Sequence, residues 1–163
     1  MKGKKIVLLI LALLLPACIF LMLKRFGKNQ FDVTPLFTEE IPELPSDCSE
    51  RKVSIPYHIP DSVLNRLPFN SDSLLCIHFD EGSAEANDQL QRVVEQFATD
   101  PLQVTSSNSL TNSDWRQCIF FLKEPFNVVV VDRKGRIRGQ YEAEDRDEID
   151  RLITEVTILL KKY

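Results

Sequence analysis

Four consecutive valines, Val128 to Val131, limit what this chain can fold into more than any other stretch. A short β-branched run bounded by polar residues suits a strand buried on both faces. Asp132-Arg133-Lys134-Gly135 follows, a tight-turn sequence in which Gly135 is free to take positive φ. Arg136 to Tyr141 then returns as a second strand, with Ile137 on one face and Arg136 and Arg138 on the other. An acidic link, Glu142 to Asp147, leads into an amphipathic helix from about Asp145 to Lys161. Asp145 with Glu148 makes a capping-box-like start. Ile149, Leu152, Ile153, Val156 and Leu160 form its apolar stripe, and Lys161 and Lys162 suit the negative end of the helix dipole.

Upstream, Leu74 to Phe79 is a second apolar run and predicts a central strand. A helix opening at Ser83 or Asn87 runs to Phe97 or Ala98, with Ala86, Leu90, Val93, Val94 and Phe97 on one face. Leu102 to Thr105 predicts a short strand, parallel to Leu74–Phe79 through that helix as a βαβ unit. Ser106 to Ser113 is polar and turn-rich. Asp114 to Leu122 reads as a short helix or irregular segment leading into Pro125. Strand, turn, strand and closing helix match the C-terminal half of a thioredoxin-like fold, although any α/β hairpin-plus-helix would also satisfy the pattern. The fold class expected is therefore α/β, a thioredoxin-like domain with a central mixed sheet flanked by helices, behind one N-terminal transmembrane helix.

That last element is Ile6 to Leu23, an uncharged run just long enough to span a bilayer core. Lys2, Lys4 and Lys5 precede it, and Lys24, Arg25 and Lys28 follow it, so the flanking charges do not set its orientation clearly. A short basic segment before an apolar run behaves like a signal anchor, which favours a cytoplasmic N-terminus. The alternative is cleavage in Leu15-Pro16-Ala17-Cys18 and lipidation of Cys18. Either route places the domain outside the cytoplasm on a membrane surface, and the uncleaved anchor places it at the inner membrane facing the periplasm. Residues 1–25 are thus the anchor. Residues 26–68, with Pro35, Pro42, Pro45, Pro56 and Pro60, are a Pro-rich tether lying along the domain, with a short hairpin or edge strand near Val53 to Ile59. Asp61 to Leu67 is a helical turn capped by Asp61. Residues 69–163 are the thioredoxin-like domain. With a net charge of −4 and no basic stripe, the chain is not built for nucleic acid.

The C-terminal phrase VVVVDRKGRIRGQYEAEDRDEIDRLITEVTILLKKY resembles the end of the Sco/SenC family. The stretches FGKNQFDV and PYHIPD look like the membrane-proximal region of members from Bacteroidetes-type bacteria. The likeness covers both ends of the chain and little of its middle. It implies a membrane-anchored thioredoxin-fold protein that binds copper and serves cytochrome c oxidase assembly. Active members carry Cys-x-x-x-Cys in the loop after the first central strand and a third ligand, His, before the late buried strand. Two thiolates and an imidazole make a soft site suited to copper. Here the loop reads Asp80-Glu81-Gly82-Ser83-Ala84-Glu85, and the His position falls near Glu124-Pro125. All three ligands are missing, and no dithiol cycle is available at that position. Pro125 is the candidate cis-proline.

Cysteines elsewhere leave fewer options. Cys18 lies in the apolar run, and Cys76 sits mid-strand as a small buried thiol. Cys48 and Cys118 lie in irregular surroundings in a compartment that permits disulfides, so a Cys48–Cys118 bridge is expected. Such a bridge clamps the tether to the domain, a gain of about 2–4 kcal/mol. The apolar residues Ile119 to Leu122 tend to bury Cys118, and Asp47 opposes a thiolate at Cys48, which favours a structural bridge. His58 and His78 are the only histidines. Cys76 and His78 share a strand face, but two ligands fall short of a closed metal site. Asp80, Glu81 and Glu85 read as a solvated loop and acidic helix start, and Arg133, Lys134, Arg136 and Arg138 as a solvated basic strand face, with a lipid headgroup or an acidic partner as the alternative.

The expected function is a non-catalytic, Sco-like binding or assembly-support module at the cell envelope, close to respiratory oxidase or its assembly factors. No cofactor is expected, copper entering only if the family function is retained. The competing readings are a thiol–disulfide oxidoreductase using Cys48 and Cys118, and a residual copper carrier using His58 or His78.

Overall fold

The computed structural model describes residues 3–5, 12, 14–16, 18–22, 32–45, 48, 53–79, 83–106 and 113–162. The chain divides into two units, Met1–Phe31 and Asp32–Tyr163. In the first, the described residues 3–5, 12, 14–16 and 18–22 are helical. Among the described residues no helix is long and apolar enough to cross a membrane. Part of the expected span, Ile6–Leu23, lies outside the described residues, as do Asp80, Glu81 and residues 107–112.

The second unit is α/β. In chain order it holds α1 (Asp61–Leu64), β1 (Leu74–His78), α2 (Ala84–Gln96), β2 (Leu102–Ser106), α3 (Ser113–Cys118), β3 (Val128–Val131), β4 (Ile137–Tyr141) and α4 (Arg146–Lys162). The four strands form one mixed sheet in the order β2-β1-β3-β4. β1 pairs parallel with β2 and antiparallel with β3, and β3 pairs antiparallel with β4. Two long-range apolar layers cover its faces, and the period-two alternation of the strands sorts residues between them. Leu74, Cys76, Val128 and Val130 face α2 and α4, where they meet Leu90, Val93, Ile149, Leu152 and Val156. Leu75, Ile77, Val129 and Val131 face the other layer, built from Tyr57, Ile59, Leu64, Trp115 and Ile119 to Leu122. The four valines are wholly buried because both faces are covered.

The β3–β4 hairpin departs from simple alternation. Gly135 takes φ +71° in the turn, and its N–H donates to the Asp132 carbonyl. Val131 pairs with Ile137 but Val130 pairs with Gly139, so Arg138 is an extra residue. This β-bulge inverts the facing of everything beyond it. Ile137 packs in the layer with Val129, whereas Tyr141, expected on the same face, packs in the opposite layer with Val128.

Helix starts and stripes show smaller departures. Ser83 caps α2, its Oγ accepting the Ala86 N–H at 3.1 Å. At α1 the cap position belongs to Pro60, whose carbonyl accepts the Val63 and Leu64 N–H groups, and Asp61 is already the first helical residue. α4 opens with the Asp147 N–H donating to Asp145 Oδ1 at 2.8 Å, but Glu148 turns to Arg151 and does not complete a capping box. In α4 the deeply buried residue of the last turns is Leu159, with Leu160 and Ile153 packing at the flank.

The segment expected as a tether is part of the domain. Tyr57, Ile59, Val63, Leu64 and Leu67 supply apolar cover for one sheet face, so the boundary expected at residue 68 falls inside the compact unit. No strand forms over 53–59. Pro56 and Pro60 have no N–H to give to a ladder, and single backbone bonds take its place. Leu36 N–H donates to the Ile137 carbonyl at 2.8 Å, Ile59 N–H to the Gly135 carbonyl at 2.9 Å, and Tyr57 N–H to the Phe37 carbonyl at 3.0 Å.

Candidate functional site

Two places bring polar or reactive side chains together. The first is the junction of β1 and α2, where the resemblance puts the family's thiols. Ser83 Oγ donates to Glu144 Oε1 at 3.2 Å, and Asn127 Nδ2 to Glu144 Oε2 at 3.0 Å. Asn127 is buried, and its Oδ1 accepts the Ala143 N–H at 2.8 Å. Burial opposes charge on Glu144, but the Asn127 and Ser83 bonds, its own backbone and the nearby His78 outweigh it and hold the carboxyl below the usual range. The Glu124–Pro125 bond, as expected for Pro125, is cis. Ser83, Asn127 and Glu144 therefore satisfy one another, latching the loop after β4 to the start of α2.

Cys76 lies on β1 opposite Val130 and is wholly buried. Burial pushes its thiol up to about 12. At neutral pH it is protonated, without the thiolate that nucleophilic or metal chemistry needs. His78 is buried at the end of β1. His58 is exposed on a different segment, its Nδ1 3.1 Å from the Pro56 carbonyl. No group of three or more His, Cys, Asp or Glu able to hold a metal occurs among the described residues. Glu85 is exposed in the first turn of α2.

The second place is the disulfide. Cys48 and Cys118 are bonded, with 5.4 Å between their Cα atoms. The expected burial of Cys118 does not occur: Ile119 to Leu122 turn into the core, while α3 ends at Cys118 and leaves it, like Cys48, half-buried. The bridge joins two walls of a groove of about 240 Å³, Pro42 to Pro45 on one side and Arg116, Gln117 and Phe121 to Glu124 on the other. Arg116 is held at the groove by Glu124 at 2.8 Å and by the Phe126 carbonyl at 3.2 Å.

Phe121, which lines the groove, takes φ 54°, and Phe37 takes φ 59°. Left-handed backbone at a bulky residue is held only where its surroundings enforce it. Here the two rings meet edge to face at 5.0 Å, and Tyr57 packs on Phe121 at 4.6 Å. The Tyr57 hydroxyl donates to the Ile119 carbonyl at 2.8 Å.

The expected basic strand face is divided: Lys134 is exposed and Arg133 and Arg136 are half-buried, whereas Arg138 is buried against Asp132. Asp132 is wholly buried and accepts from Arg136 Nε at 2.9 Å and from Arg138 at 3.2 Å. Arg138 also donates to the Val33 carbonyl, so the bulge turns this arginine inward instead of toward an acidic partner. Sequence reasoning singled out neither Phe37, Asn127 nor Glu144, whose partners are distant in the chain. The Asp-x-x-Gly-Arg spacing did carry a signal for the Asp132 cluster.

No family model, curated protein or solved structure matches this chain. The geometry offers a polar latch at the start of α2 and a groove beside a half-buried disulfide.

Proposed function

We propose that this chain is a non-catalytic, thioredoxin-like binding or assembly-support module held at the cell envelope, Sco-like by descent. The observation that carries the reading is the β1–α2 junction. Among the described residues there, Ser83, Asn127 and Glu144 bond to one another, and the β1 thiol, Cys76, is buried and protonated. Such a junction cannot run a dithiol cycle or offer copper two thiolates. What remains for a partner is the groove held by Cys48–Cys118. The resemblance at both ends of the sequence points to respiratory oxidase or its assembly factors as the partner class, and to a periplasmic, membrane-attached location.

The test is a disulfide-exchange assay on the purified full-length chain, with a peptide disulfide and excess dithiol. Reduction at the uncatalysed rate is expected. Catalytic turnover abolished by Cys48→Ser or Cys118→Ser would replace this reading with the oxidoreductase one, which the half-buried position of both cysteines favours.

A further inference from the structure

We propose that two copies of this chain pair through the outer edge of β2, antiparallel and related by a two-fold axis through Val104. The inference goes beyond the binding-module reading and uses neither its groove nor its disulfide.

β2 ends the sheet order β2-β1-β3-β4, so among the described residues only one of its edges has a strand beside it. The Leu74 N–H donates to the Pro101 carbonyl at 2.8 Å, and Leu74 stands opposite Leu102. In a parallel ladder that offset turns the N–H and C=O of Gln103 and Thr105 toward β1 and those of Val104 outward. Among the described residues nothing takes the outward pair. β1, β3 and β4 are buried almost throughout, whereas β2 has no fully buried residue.

The two edges of the sheet are built differently. At β4 the chain supplies a bulge at Arg138 and a covering bond from the Leu36 N–H to the Ile137 carbonyl at 2.8 Å. Bulges and covering segments blunt an edge against further pairing, as do proline and charge. β2, Leu-Gln-Val-Thr-Ser, has no bulge against β1, no proline and no charged side chain. An edge of this kind takes another strand by β-augmentation.

The flank of α2 beside that edge identifies the partner. Arg92 bonds Asp150 of α4 at 2.6 Å, so one flank of α2 faces α4. α4 lies toward β4, where Tyr141 donates to Glu155. At about 100° per residue, Val94 is on the opposite flank, over the β2 edge. It is a large apolar side chain left 42% exposed. Asn87 and Gln91 share that flank, exposed and uncharged, and Glu95, the next charge round the helix, accepts from Gln91 Nε2 at 3.0 Å. A two-fold axis perpendicular to the sheet sets α2 beside its own copy, so Val94 covers Val94 while the edges pair. A lone foreign strand would satisfy Val104 and leave Val94 in water. Across the axis Val104 meets Val104 as a hydrogen-bonded pair exchanging two N–H···O bonds, Gln103 meets Thr105, and no like charges on the strands are brought together.

Sedimentation equilibrium of the full-length chain in density-matched detergent tests the pairing. A monomer–dimer equilibrium is expected. Val94→Lys places two like charges at the axis on an exposed helix position, and Val104→Pro removes the outward N–H while leaving the ladder to β1. Each should raise the dimer Kd about tenfold or more. Oxidation should link Val94→Cys/Cys18→Ser into covalent dimers, and Asp88→Cys/Cys18→Ser, with its thiol away from the edge, should stay unlinked. A monomer at every concentration up to about 100 μM overturns the proposal. So does a dimer that Val94→Lys leaves intact, because another surface would then hold it, and so does equal linking at positions 94 and 88. None of these readouts involves disulfide exchange, so the dimer and the binding-module reading fail separately.

Discussion

Asp132 and Arg138 lie 3.2 Å apart with their side chains almost wholly out of solvent, across the turn that closes the central hairpin. The carboxylate also accepts the Lys134 N–H at 2.9 Å and the Arg136 N–H at 3.0 Å, so one side chain organises the turn and the bulge together. Asp132→Ala would remove the buried counter-charge of Arg138 and leave it only the half-exposed Asp32 at 3.9 Å. It should cost about 3–5 kcal/mol in urea unfolding, the range for breaking a buried pair from one side.

The same residue sets an acid response. Burial opposes its charge, but the Arg136 side chain and the Arg136 and Lys134 backbone bonds outweigh this and hold the Asp132 carboxyl below its ordinary value. A folded value below the unfolded one gives stability that is full above the unfolded value, near 4, and is lost as pH falls through the folded value. Glu144 acts in the same direction. Denaturation midpoints between pH 6 and 2 should fall with acidification, and less steeply in Asp132→Asn.

Gly139 stands where no side chain fits. A Cβ there would lie 2.0 Å from the Tyr141 hydroxyl, which donates to Glu155 at 2.6 Å. Gly139→Ala must displace the Tyr141 ring and should cost about 1–3 kcal/mol, as overpacking does. Tyr141→Phe, which keeps the packing, should cost about 1 kcal/mol by thermal melting.

Thiol labelling checks the cysteine assignments. Cys18 is not bridged, so its labelling should not depend on reduction. Cys76 should react only after denaturation, because burial raises its thiol to about 12. Cys48 and Cys118 should appear only after reduction. A fast second thiol in the native chain would contradict the burial of Cys76.

Copper is the sharpest family-level test. The loop after β1 contains no cysteine, and Cys76 is a protonated thiol inside the core. Competition against a Cu(I) chelator should show no stoichiometric tight complex. A complex surviving excess chelator would restore the copper-carrier reading, and its loss in His78→Ala would place it at the end of β1.

Local chemistry made most of the elements legible. Val128 to Val131, the Gly135 turn, the Ser83 cap and the stripe of the last helix all follow from interactions within a few residues, and each is present. The Cys48–Cys118 pair was legible by elimination, because the other two cysteines sat in apolar runs. Tertiary structure alone decided the rest. A single extra residue at Arg138 inverts the facing of Tyr141, and strand periodicity has no means of announcing a bulge. Residues 26–60 carry no sustained period, so 26–68 read as a tether; one sheet face needs apolar side chains from Tyr57 to Leu67, and that need exists only once the sheet has formed. Asn127 and Glu144, or Phe37 and Phe121, meet across long stretches of chain, and such contacts are set by packing, not by sequence neighbours.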